Sequence, residues 1–239
     1  MTPALGEWSG VWETEMERTT GVLLDVDGTL VDSNDAHAHA WLRALTEAGV
    51  RAEFATVRRL IGKGGDKLIP EVAGIDAEST KGKAISERRG KIFQAEYLPT
   101  LKPFPGVKEL LSLMKRQGLQ LAVASSAKED ELKSLLRVCG ADEFIEASTS
   151  SDDAEHSKPD PDIVHAALDQ LGQPPETVIL LGDTPYDVEA SLKAGIRVVA
   201  LRCGGWGDAD LKGAARIYDD PADLLARFDK SPFAEARRA

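Results

Sequence analysis

The sequence predicts an α/β protein: a parallel sheet with helices on both faces, and a block of helices inserted after the first strand. Three observations carry this. Short apolar runs rich in β-branched residues alternate with longer segments of helical character. Each run is too short for a helix and ends in turn residues, as strands buried on both faces do. One long interval, from Asn34 to Leu101, breaks the alternation and holds no strand-like run.

The strand-like runs are Gly21–Val26, Leu119–Ala124, Phe144–Ala147, Val178–Leu181 and Val198–Leu201. Helix-like segments lie between them at about residues 105–118, 128–139, 160–172 and 186–195. The alternation predicts a doubly wound, Rossmann-like sheet. Within the interval, segments 35–49, 53–61, 66–73 and 77–97 have helical character, punctuated by Gly49, Gly62, Gly64, Gly65 and Gly74. Pro99, Pro103 and Pro105 mark the return to the sheet. The expected organisation is an extension at 1–20, a core from 21–33 and 102–230, and a helical insert at 34–101.

The extension carries Trp8 and Trp12 at i, i+4, which suits a short helix packed on the body or a partner site. It has four glutamates and no apolar core, so it does not resemble a secretory signal. The tail from Ser231 to Ala239 is expected to fray.

Composition bounds the function. Acidic residues outnumber basic ones 40 to 29, a net charge of −11, which argues against a nucleic-acid partner. A small phosphorylated partner is still permitted, because a metal ion and one or two lysines can reverse the field locally. Two cysteines, Cys139 and Cys203, form no disulfide framework or zinc motif and fit a reducing cytoplasm. No apolar run reaches the roughly 18 residues of a membrane helix.

The most informative segment is Val22-Leu-Leu-Asp25-Val-Asp27-Gly28-Thr29-Leu30-Val31-Asp32-Ser33. Its strand ends in two carboxylates at i, i+2, on one side of an extended backbone. Such a pair repels unless a cation joins it or one member holds a proton. That describes a metal site or a nucleophile beside an acid, while Asp-Gly alone also suits a plain turn. Ser125 and Ser126 end the second strand before a helix, where serine caps the helix or binds an anion at its amides. Lys158 precedes Pro159 and is biased to an extended conformation, and Asp160 and Pro161 suit N-cap and N1 of the next helix. Asp183 closes the fourth strand, and Asp187 either caps the following helix or supports a metal. Gly62-Lys63-Gly64-Gly65 is a flexible turn or a substrate-facing loop, and His37 either packs with Trp41 or faces the cleft mouth.

In order, these segments resemble the four motifs of the haloacid dehalogenase superfamily across residues 22 to 187. The resemblance implies a phosphatase with Asp25 as nucleophile and Asp27 as acid and base. Ser125, Ser126 and Lys158 would bind the phosphoryl group. Magnesium would be held by Asp25, Asp183, the Asp27 carbonyl and Asp187. The insert resembles a helical cap that closes over the site, with Lys63, Gly64 and His37 facing the substrate. The superfamily's dehalogenases and phosphonoacetaldehyde hydrolases lack an acid at the Asp27 position, so its presence points to phosphate esters.

The chain is most similar to phosphoglycolate phosphatase-like and β-phosphoglucomutase-like members. The mutase cap has a lysine and an arginine where this chain has Ile61 and Gly65, which favours a phosphatase over a mutase. A non-catalytic binding protein on the same scaffold is the remaining alternative.

Overall fold

The computed structural model describes residues 18–234; Trp8 and Trp12 lie outside them. Six parallel strands form one sheet: β1 (Gly21–Leu24), β2 (Gln120–Ala124), β3 (Ala147–Thr149), β4 (Val178–Gly182), β5 (Arg197–Leu201) and β6 (Arg216–Tyr218). Their spatial order is β3-β2-β1-β4-β5-β6. The chain therefore grows outward from β1 in one direction, then returns to β1's other side. That reversal is the topological switch point, where the strands' carboxyl ends leave a crevice.

Alternate residues face opposite sides. Val22, Leu24, Leu121, Val123, Ile179 and Leu181 belong to one buried cluster. Leu23, Ala122, Ala124 and Leu180 belong to the other. The helices covering these faces are α5 (Val107–Arg116), α6 (Glu129–Cys139), α7 (Asp162–Leu171), α8 (Pro185–Lys193) and α9 (Pro221–Ala226).

Between β1 and β2 come α1 (Asn34–Glu47), α2 (Phe54–Arg59), α3 (Gly65–Ala73) and α4 (Thr80–Ile92). Ser79 caps α4 by accepting from the Gly82 amide at 3.1 Å. One wider π turn, Phe93–Tyr97, ends that helix. Leu45, Ile85 and Phe93 join the same apolar cluster as one sheet face, so this helical cap packs on the core by burial. Its entry and exit run side by side. The Asp32 amide donates to Lys102 O at 3.1 Å, and the Phe104 amide to Leu30 O at 3.0 Å.

Four expectations change. The third strand starts at Ala147, not Phe144. Phe144 and Ile145 spend their apolar surface packing against the core from the turn before it. The edge strand β6 escaped notice because three residues with a charged neighbour make no apolar run. Helix α7 is capped at Pro161, not Asp160, whose carboxylate is taken by Lys67 at 2.6 Å. The described part of the tail is packed, not frayed: Phe233 is fully buried and stacks on Phe228, while Thr19 Oγ1 donates to Pro232 O at 3.2 Å.

Candidate active site

Strands β2, β1 and β4 are neighbours in register, so their ends deliver Ser125, Asp25 and Asp183 to one edge of the sheet. The Asp25 amide still donates to Leu181 O at 2.9 Å, which fixes the nucleophile candidate to the sheet. The chain then folds back on itself, with the Leu30 and Val31 amides donating to Val26 O. Gly28 makes this possible with φ 80°. A Cβ there would lie 2.1 Å from Asn34 Nδ2 and 2.3 Å from Asp183 Oδ2.

Asp25, Asp183 and Asp187 are buried with carboxylate oxygens within 4.8 Å of one another. Lys158, itself 1% exposed, places its ammonium 2.7 Å from both Asp25 Oδ1 and Asp187 Oδ1. Thr29 Oγ1 lies 3.2 Å from Asp25 Oδ2 and 3.0 Å from Asp183 Oδ1, and Asn34 Nδ2 donates to Asp183 Oδ2 at 3.0 Å. One lysine does not balance three carboxylates. Burial pushes Asp25 up to about 7 despite Lys158, and burial with the Asp25 and Asp187 charges raises Asp183 well above the carboxylate range. For Lys158 burial works the other way, but Asp187 and Asp25 overcome it and hold the ammonium charged. Such a hard, oxygen-only and electron-rich set fits a divalent cation.

The four residues expected to hold a metal, Asp25, Asp27, Asp183 and Asp187, are not equivalent. Asp187 Oδ2 accepts from the Thr184 amide at 3.0 Å and the Thr184 hydroxyl at 2.7 Å, closing a capping box on α8, while Oδ1 holds Lys158. The capping reading of Asp187 is thus observed, and its other oxygen is taken by Lys158. The Asp27 carboxylate lies outside the cluster.

Asp27 instead ends a half-buried chain of polar contacts. Its Oδ1 takes Ser33 Oγ at 2.5 Å and His37 Nε2 at 2.7 Å. His37 Nδ1 stands 2.8 Å from Arg89 Nη2, and Arg89 Nη1 reaches both oxygens of Glu131 at 2.9 and 2.6 Å. A guanidinium can only donate. His37 Nδ1 must therefore accept, and its Nε2–H must donate to Asp27. Burial alone would raise Asp27, but His37, Ser33 and Arg89 together hold it below its ordinary value. His37 stacks on Phe93 with centroids 4.0 Å apart. It thus shares the cleft with Asp25 and Asp27 while packing on a ring of the insert.

Asp25, Asp27, His37, Lys63, Arg89, Ser125 and Ser126 line one small pocket. Ser125 does not cap α6; its hydroxyl accepts from the Ala127 amide at 3.1 Å, and the cap position is Lys128. Ser126 Oγ is buried and without a partner. The pocket adjoins a cavity of about 470 Å3 that shares Trp41, Lys63, Arg89 and Ser126 and is also lined by Gly64, Lys83 and Lys128. Lys63 is paired with Glu71 at 2.5 Å and lies over the Tyr186 ring. Sequence reasoning missed Arg89, Glu131, Ser33 and Asn34. Only Ser33 and Asn34 carried a signal: Ser33 closes the Val22–Ser33 segment, without a role read from it, and Asn34 directly follows.

The family model for haloacid dehalogenase-like hydrolases matches residues 22–201. A phosphoglycolate phosphatase of Aquifex aeolicus is 30% identical over 213 residues, covering 87% of this chain and 96% of its own. A crystal structure of a hydrolase from Pseudomonas syringae superposes with a TM-score of 0.83 at 28% identity, covering 89% of this chain and 99% of its own. A putative β-phosphoglucomutase from Bacteroides vulgatus gives 0.82 at 25% identity, with 93% and 91% covered. With the match spanning all three central strands and the acidic cluster, the chain belongs to the haloacid dehalogenase-like hydrolase family, as a hydrolase of the phosphatase type.

Proposed function

We propose that the chain is a magnesium-dependent phosphatase acting on a small phosphorylated metabolite through a phospho-Asp25 intermediate. The observation that carries this is the Asp25 carboxylate held between Lys158 and two further carboxylates at the sheet's switch point. Asp25 and Asp183, with the Asp27 carbonyl and Asp187 in support, would hold the ion. Magnesium there supplies charge neutralisation of the phosphoryl oxygens.

One Asp25 oxygen attacks phosphorus in line, and the bond to the leaving oxygen breaks. Lys158 and the Ser125 and Ser126 hydroxyls hold the equatorial oxygens. The leaving oxygen takes a proton from Asp27. That residue is ionised before substrate arrives; a dianionic phosphate beside it raises its proton affinity, and it takes up from solvent the proton that it then passes to the leaving oxygen. In the second half, Asp27 accepts a proton from water, whose oxygen displaces Asp25 and releases inorganic phosphate. The His37 Nε2–H steadies the Asp27 carboxylate in that form.

The cavity of about 470 Å3 is roomy for a two-carbon acid and suits the leaving group of a sugar phosphate. Cys139 and Cys203 are both free, in keeping with a cytoplasmic site of action. No helix among the described residues is long and apolar enough to cross a membrane.

Asp25→Asn should abolish turnover of p-nitrophenyl phosphate and hexose phosphates while the folded circular-dichroism spectrum survives. Persistent turnover would remove Asp25 from the role. The likeness to a putative β-phosphoglucomutase supports a second reading, in which the phosphoryl group is retained. Ile61 and Gly65, neither of them cationic, work against it. Release of stoichiometric phosphate from hexose phosphates separates the two.

A further inference from the structure

The helical insert grips the core loop that carries Lys158 at the residue before the lysine. The Gly64 amide donates to Ser157 Oγ at 3.0 Å. Ser157 Oγ donates in turn to Asp66 Oδ1, and the Ser157 amide donates to Asp66 Oδ2 at 3.2 Å. Both oxygens of Asp66 and both donors of Ser157 are thus used. A hydroxyl that accepts from one side and donates to the other has no rotational freedom left. Just beyond, Lys67 Nζ sits 2.6 Å from Asp160 Oδ2. The fit has no slack: a Cβ on Gly64 would stand 2.7 Å from both Ser157 Cβ and Oγ. Gly64 has φ −75°, open to any residue, so glycine is needed here for room.

Lys158 spends its ammonium on Asp25 and Asp187, both in the core. The insert acts on it through the backbone, one residue upstream. We infer that Asp66 is a positioning residue: by clasping Ser157 when the insert is seated, it holds Lys158 within reach of Asp25. The charge needed for phosphoryl transfer is then complete only with the insert closed. This rests on the phosphatase reading above.

The test uses the intact chain with magnesium and p-nitrophenyl phosphate, comparing Asp66→Ala, Ser157→Ala, their double variant and Gly64→Ala. Arg43→Ala, on an exposed ion pair of the insert, is the control. Each single variant is expected to lower kcat about tenfold with KM within about twofold, the scale of one charge-assisted bond. The double variant should be no worse than the weaker single, because both act through one contact. Losses confined to KM, or losses that multiply in the double variant, overturn the inference. Deuterium uptake gives an arm that needs no turnover: residues 154–162 should exchange faster in Asp66→Ala, with 20–30 unchanged. Unchanged uptake at 154–162 also overturns it. A wild type that hydrolysed no phosphate ester would sink the phosphatase reading, and uptake would then decide the clasp alone.

Discussion

At the scale of single residues, the centre is a problem of charge. Three buried carboxylates face one ammonium, and two of them are pushed upward in proton affinity. A carboxyl whose folded value is raised binds more protons folded than unfolded. Its contribution to stability is therefore present at low pH and falls as pH climbs from the ordinary value of 3.8 to about 7 for Asp25. A divalent cation removes this penalty by taking the proton's place. Thermal melting with and without magnesium should thus show a larger rise in Tm at pH 8 than at pH 5. An equal rise at both would mean the ion does not sit on these carboxylates. The same residues were the most legible in the sequence. Asp25, Asp27, Asp183 and Lys158 follow strand ends or precede a proline, so local spacing announces them.

At the scale of elements, legibility declines, because the decisive contacts join segments far apart in the chain. His37 on α1 meets Arg89 on α4, 52 residues on, and Arg89 meets Glu131 on α6, 42 further. Nothing in the local pattern of α4 separates Arg89 from its neighbour Arg88, whose partner is the exposed Glu47. Packing makes the difference. Arg89 lies over Trp41 and Phe93 and is largely shielded from water, as is Glu131. Arg89→Met leaves the Glu131 charge without its partner and should cost on the order of 3 kcal/mol in denaturant unfolding. It also frees His37 to donate from either nitrogen, so kcat should fall as well. Arg88→Met should change neither measurably. Strand positions show the same limit: the apolar pair Phe144–Ile145 looked like a strand, whereas pairing with β2 selects Ala147–Thr149.

At the scale of the whole molecule, the order of the sheet was predictable in kind, since alternating strands and helices admit few arrangements. How the ends are held was not. Phe233 closes the apolar cluster beneath the sheet, stacked on Phe228, and Pro232 is tied to Thr19 just ahead of β1. A fully buried aromatic leaves a large cavity when truncated. Phe233→Ala should therefore destabilise the fold by about 3–5 kcal/mol, measured by urea unfolding, although the site lies elsewhere.

The narrow neck at Leu30–Asp32 and Lys102–Phe104 has a consequence of another kind. The two crossings of the chain are hydrogen-bonded to each other, so everything between them begins and ends at nearly one point. A segment anchored in that way can be lengthened, shortened or exchanged with little demand on the strands beneath it. Only the surface it presents to the core, with contacts such as Gly64 and Asp66 on Ser157, has to be kept. The scaffold is thereby suited to grafting: one fixed set of strand-end carboxylates can be placed beneath a succession of different inserts.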